Sequence, residues 1–177
     1  MSHRRTVRKT YDVRPRVGSK PRRSSRRSNS KTSDLPMSRR PLRNEVDLWL
    51  KDLEDTLKVA KDNFALGNYH VAAFYTHQAV EKALKAAIIA LKHKSPLKTH
   101  RLRLLYSEVA SEVTLTIEQL RFLGELTPVA RRARYTDAAQ GLPSEIYTRE
   151  IVIEYMEKAP PILEVIKTRI MAERTQQ

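Results

Sequence analysis

The chain of 177 residues contains no cysteine, which excludes a disulfide scaffold, a thiolate nucleophile and a cysteine zinc site. It has only four glycines. None of them builds a Gly-rich phosphate loop or a Gly-x-Ser-x-Gly elbow, so classical nucleotide folds and serine hydrolases are poor descriptions. Its five histidines include no His-Glu-x-x-His pair, so neither a metal site nor a cofactor is expected. No apolar run reaches the length needed to cross a bilayer, and the N-terminus lacks the hydrophobic segment of a secretory signal. These features lead us to expect a cytoplasmic protein with no membrane partner. No segment alternates apolar and polar residues as a half-buried strand does, and no sequence repeat is present.

Acidic residues are nearly missing from the first part of the chain. Residues 1–43 hold 15 Lys or Arg against Asp12 and Asp34, a net of +13, whereas residues 44–177 hold 19 against 18 acids, a net of +1. The stretch SKPRRSSRRSNSKTS has like charges, Ser and Pro and nothing apolar to bury, so residues 1–43 are expected to be a disordered tail. Such an arm is suited to bind phosphates through Arg22, Arg23, Arg26 and Arg27. A non-specific nucleic-acid tether is therefore one functional reading. Met37 offers an alternative start just before the compact domain, which is expected over residues 44–177.

The domain reads as an all-α, antiparallel up-and-down bundle of four to five helices. Asn44, supported by Asp47, is expected to cap a first helix whose stripe is Val46, Leu50, Leu53, Leu57, Ala60 and Phe64. Trp49 flanks this stripe and is placed for an interface. Gly67-Asn68 should end the helix. The segment NYHVAAFYTHQAVEKALKAAIIAL then forms the most apolar helix, whose small alanines admit close neighbours, which places it at the centre. A third helix is expected from His100 to Val113. Thr116 and Gln119 form a capping box for a fourth, with Ile117, Leu120, Leu123 and Leu126 on its buried side. Pro128 kinks or ends it, and a polar connection follows. Thr148 should cap a fifth helix, which Pro160-Pro161 should bend or split.

Three polar residues, His77, Glu81 and Lys85, stack at four-residue steps on the most apolar helix. Spacing alone favours a structural Glu81–Lys85 pair with His77 bonded to a neighbour. The functional alternative is a polar cleft between packed helices. Thr99 and His100 precede the third helix, where a His serves either as a general base or as a helix-start residue bonded to backbone. Arg131, Arg132, Arg134 and Tyr135 can hold a phosphate and stack a base, or they can be loop residues whose arginines pair with nearby acids.

The segments GNYHVAAFYTHQAVEKALKAAIIAL, KTHRLRLL and ARYTD, in that order, resemble the HEPN domain family over roughly Trp49 to Ala172. Gln78 to Ala86 is the most specific portion. The resemblance implies a helical homodimer that binds a nucleotide or RNA. It also implies a minimal nucleotidyltransferase partner, in a pair like a toxin–antitoxin module. The implied binding residues are His77, Gln78, Glu81, Lys85, Thr99 and Tyr135, with His100 and Arg134 as the catalytic candidates. Catalytic members are metal-independent endoribonucleases that carry an Arg, four to six residues, then a His. This chain has no such pair. Lys94 stands nearest, with five residues between it and His100, and Lys lacks the planar fork that Arg offers to phosphate oxygens. A nucleotide- or RNA-binding protein is therefore the first reading. An endoribonuclease using His100 with Arg134 or Lys94 is the alternative.

Overall fold

The computed structural model describes residues 39–176, with side chains from Asn44 onward. The expectations for the arm, including Arg22, Arg23, Arg26 and Arg27 and a start at Met37, fall on residues 1–38, outside the described residues. Among the described residues every regular element is helical. The four longer helices are α1 (Arg39–Ala65), α2 (Tyr69–Lys92), α4 (Ile117–Leu126) and α8 (Arg149–Thr175). Shorter ones are α3 (Leu102–Ser107), α5 (Val129–Arg132), α6 (Thr136–Ala139) and α7 (Pro143–Ile146).

Helix α2 forms the centre. Ala72, Ala73, Ala79, Val80, Ala83, Leu84, Ala86, Ala87 and Ile88 are fully buried, so almost its whole circumference is covered. Helices α1 and α8 pack against it, and α3, α5 and α7 also touch it. Arg174 of α8 pairs with Asp47 of α1 at 2.6 Å, and Lys167 with Glu54 at 3.1 Å. Residue numbers rise along α8 as they fall along α1, so the two helices are antiparallel, which fits an up-and-down bundle. Leu84 has no exposed surface, and its truncation to Ala should cost about 2–5 kcal/mol through lost burial and the cavity left behind.

The turn between α1 and α2 shows how local chemistry sets the bundle. Gly67 adopts φ +76, a left-handed conformation that glycine takes without steric penalty. Its amide N–H donates to the Phe64 carbonyl at 3.0 Å, and the Asn68 N–H reaches back to Asn63 at 2.9 Å. This Schellman arrangement satisfies the last carbonyls of α1 and turns the chain directly into α2. At α4, the Thr116 hydroxyl accepts from the Gln119 amide and the Gln119 side chain accepts from the Thr116 amide, so both halves of the capping box form.

Several boundaries differ from the sequence reading. Helix α1 begins at Arg39, so Asn44 lies within it instead of capping it. Helix α3 stops at Ser107 and gives way to turns, although Val109 and Val113 still bury. His100 precedes that helix, and Arg101 is its N-cap residue. Ile117 is 65% exposed, because as first residue of α4 it points outward, and Phe122 takes the buried position beside Leu123 and Leu126. Helix α8 is not split at Pro160-Pro161. Both prolines lie on its solvent side, where water can serve the carbonyls of Met156 and Glu157 that lose their N–H donors. No helix among the described residues is long and apolar enough to cross a membrane.

Candidate functional site

The polar row on α2 gathers around one carboxylate. Glu81 is only 3% exposed, and a buried carboxylate is costly unless its oxygens are bonded and its charge is matched. Lys85, one turn on, donates to Oε1 at 2.7 Å. The Nδ1–H of His100 donates to Oε2 at 2.9 Å and lies 3.2 Å from Oε1. The loop after α2 thus returns His100 to a residue 19 positions earlier. The His100 side chain is 63% exposed. Its Nδ1 is held from below by the carboxylate, which leaves Nε2 as the ring's free nitrogen.

His77 lies beneath this pair and has no exposed surface. Its Nε2–H donates to the His100 carbonyl at 3.2 Å, while Nδ1 accepts from the Gln78 amide at 3.4 Å. Burial lowers its pKa from 6.5 to about 4 against the raising influence of Glu81, with His100 and Arg134 also disfavouring a second positive charge. At neutral pH His77 is therefore an uncharged strut that fastens the loop. The 3.8 Å separation between its Nδ1 and Glu81 is not an ion pair under those conditions.

Helix α1 contributes to the centre as well. Lys85 Nζ sits 5.8 Å from the centroid of the Trp49 ring, close enough for a cation–π attraction. Trp49 is half-buried against the core. Lys85 is thus held between a carboxylate and an aromatic face.

Arg134 approaches from the end of α5. Its guanidinium carbon lies 4.7 Å from the Phe74 ring centroid and 5.0 Å from that of Tyr135, and its Nε donates to the Ala130 carbonyl at 2.8 Å. Those contacts fix the plane of the fork on a residue that is itself exposed. Tyr135 is 49% exposed. Beside them α2, the segment after α5 and α7 line a groove of about 470 Å³, with His70, Val71, Phe74, Tyr75, Arg134 and Ser144 among its walls.

The structure brings His77, Gln78, Glu81, Lys85 and His100 into one bonded cluster. Arg134 lies within electrostatic reach of it, and Tyr135 lies against Arg134. Thr99 does not join them through a bond. Its hydroxyl accepts the Arg101 amide at 3.2 Å, the action of a loop residue steadying the start of α3. Lys94 is paired with Glu108, which commits its charge elsewhere. Arg131 is loosely paired with Asp137 at 3.7 Å. Among the described residues no group of His, Asp and Glu is arranged to hold a metal ion.

Sequence reasoning missed His70, Phe74 and Tyr75 as groove walls, and Trp49 as the partner of Lys85. The spacing of His70 and Phe74 on the face that carries His77 and Glu81 was the available signal.

The profile of the HEPN domain matches residues 46–169. Among solved structures, the chain is similar to TT1696 from Thermus thermophilus. That match has 26% sequence identity and a TM-score of 0.64, over 71% of this chain and 98% of that one. It is similar also to ST0689, an archaeal HEPN homologue, at 26% identity and a TM-score of 0.58, over 71% and 97% of the two chains. No functionally curated protein matches. The profile spans α2, the returning loop and Arg134, and so takes in the whole polar cluster. The chain belongs to the HEPN domain family.

Proposed function

We propose that this HEPN protein binds a nucleotide or RNA at the cluster on α2 and works in the cytoplasm as a homodimer. In this reading it is the HEPN half of a toxin–antitoxin-like module with a minimal nucleotidyltransferase partner. The supporting observation is that a solvent-facing His100, anchored on buried Glu81, and the exposed Arg134, stacked on Phe74, both lie within electrostatic reach of His77. An imidazole and a planar cation on one surface suit a phosphate and its neighbouring groups. Binding of fluorescent single-stranded RNA to the wild-type chain and to Arg134→Ala tests the site. Light scattering tests the dimer, and a clean monomer at micromolar concentration contradicts it.

A second reading, metal-independent endoribonuclease, is favoured by one feature, the Glu81–His100 pair. A carboxylate that fixes Nδ1–H leaves Nε2 as a base of defined direction. His100 would take the proton of a 2′-hydroxyl, whose oxygen attacks the adjacent phosphorus. The 5′-oxygen would then leave with the proton returned by the imidazolium. Arg134 would stabilise the charge on the phosphorane. Against this stands the absence of Arg at the position of Lys94, whose own charge is engaged by Glu108. Incubation of single-stranded RNA in EDTA with wild type and His100→Ala decides between the readings. Cleavage by wild type alone selects the enzyme, and intact RNA selects the binding protein.

A further inference from the structure

The groove and the Glu81 cluster lie on one face of one helix. His70 and Phe74 wall the groove and Glu81 and Lys85 hold the cluster. At 3.6 residues per turn, positions 70, 74, 81 and 85 fall within about 60° of one another around α2. At about 1.5 Å per residue, Phe74 and Glu81 stand roughly 10 Å apart along the axis. Arg134 stands at the groove within electrostatic reach of the cluster. It covers the Phe74 ring at 4.7 Å, and its charge reaches His77 in the cluster.

We infer that the groove is a base-binding subsite. The ligand of the α2 face is then a short single strand of about three nucleotides, running from the groove to His100. This rests on the nucleotide or RNA binding proposed above and adds the ligand's length and orientation. The groove has the chemistry of a base slot. Phe74 and Tyr75 supply aromatic surface, and the His70 imidazole and the Ser144 hydroxyl supply polar edges. Its volume of about 470 Å³ lies within the ~300–1,000 Å³ typical of small-molecule sites.

Charge at the other end selects a strand over a nucleoside triphosphate. Lys85 already neutralises Glu81, which leaves His100 at the far end and Arg134 at the groove wall, each to face a separate phosphate. That matches the single charge of a phosphodiester and falls well short of a triphosphate. A stacked strand advances about 3.4 Å per phosphate, so roughly 10 Å corresponds to about three nucleotides.

The test is a binding series on the full chain with AMP, ATP and 2′-O-methyl oligoadenylates from one to six nucleotides. The 2′-O-methyl group prevents strand cleavage, and about 0.3 M salt suppresses non-specific contacts of the arm. Affinity should rise on the order of tenfold or more from one to three nucleotides and then level off, with ATP no better than a few-fold above AMP. Ser144→Trp, placed on the exposed rim to fill the groove, should lose on the order of tenfold at every length, the size of a lost base stack. His70→Ala should lose less, and His100→Ala should flatten the dependence on length. Equal affinity for AMP and the trinucleotide overturns the inference, as does ATP binding as tightly as the trinucleotide. An unaffected Ser144→Trp protein with an unchanged melting temperature also overturns it, by placing the base elsewhere. In all three cases the proposed function survives. Absence of binding at every length overturns both.

Discussion

The His100 imidazole rests on the Glu81 carboxylate, Nδ1 to Oε2 at 2.9 Å, and the same carboxylate takes Lys85 on its other oxygen at 2.7 Å. One buried negative charge therefore holds a loop and a helix residue together.

Removing that charge should unfold the cluster. Glu81→Ala leaves Lys85 without its counter-charge and His100 without its anchor. Breaking a buried pair costs about 3–5 kcal/mol, and the partial exposure of the partners places this one near the low end, about 3 kcal/mol. A thermal melt should show a lowered Tm. A melt equal to wild type would mean that water replaces the carboxylate and that the row is a solvated face.

The local half of this arrangement was legible in the sequence, because Glu81 and Lys85 are one helical turn apart. The other half was not. His100 reaches Glu81 across a Pro-containing loop, a path that no periodicity encodes. The capping box at Thr116 and the stop at Gly67 were legible for the same local reason. The groove was hidden because one wall comes from the stretch 129–146, where three single-turn helices carry no strong apolar pattern. The two prolines of α8 leave the helix unsplit. Their cost depends on whether they face water, which only the packed bundle decides.

Acid should weaken the fold through His77. Its pKa is 6.5 in an unfolded chain and about 4 when buried, so between those values protons bind the unfolded state preferentially. The contribution is complete above pH 6.5 and declines as pH falls. It amounts to about 2 kcal/mol lost by pH 5 and roughly 3 kcal/mol below pH 4. His77→Gln keeps a donor for the His100 carbonyl and should remove this decline. Urea denaturation of both proteins at pH 7 and pH 5 measures it, and equal losses would assign acid sensitivity to other groups.

Arg134 should matter for ligand and little for stability. Arg134→Ala should weaken RNA binding by about tenfold or more while the melt stays within about 1 kcal/mol of wild type. Arg134→Lys should not restore binding, because a point charge lacks the planar fork and the stack on Phe74. Full affinity in Arg134→Lys would show that the site reads charge alone.

The arm should set the salt dependence of binding. Replacing Arg22, Arg23, Arg26 and Arg27 together by Ala removes four candidate phosphate contacts. The slope of log affinity against log salt on single-stranded RNA should then fall by about 3, at roughly 0.7 per contact. An unchanged slope would move non-specific binding onto the helical domain.

Trp49 is the chain's only tryptophan, and its ring lies beside the ammonium of Lys85, which is itself tied to the carboxylate under His100. The protein therefore carries its own optical reporter at the site. Any ligand or substitution that draws Lys85 away from Glu81 changes the field at that indole, and the emission of the native, unlabelled protein records it.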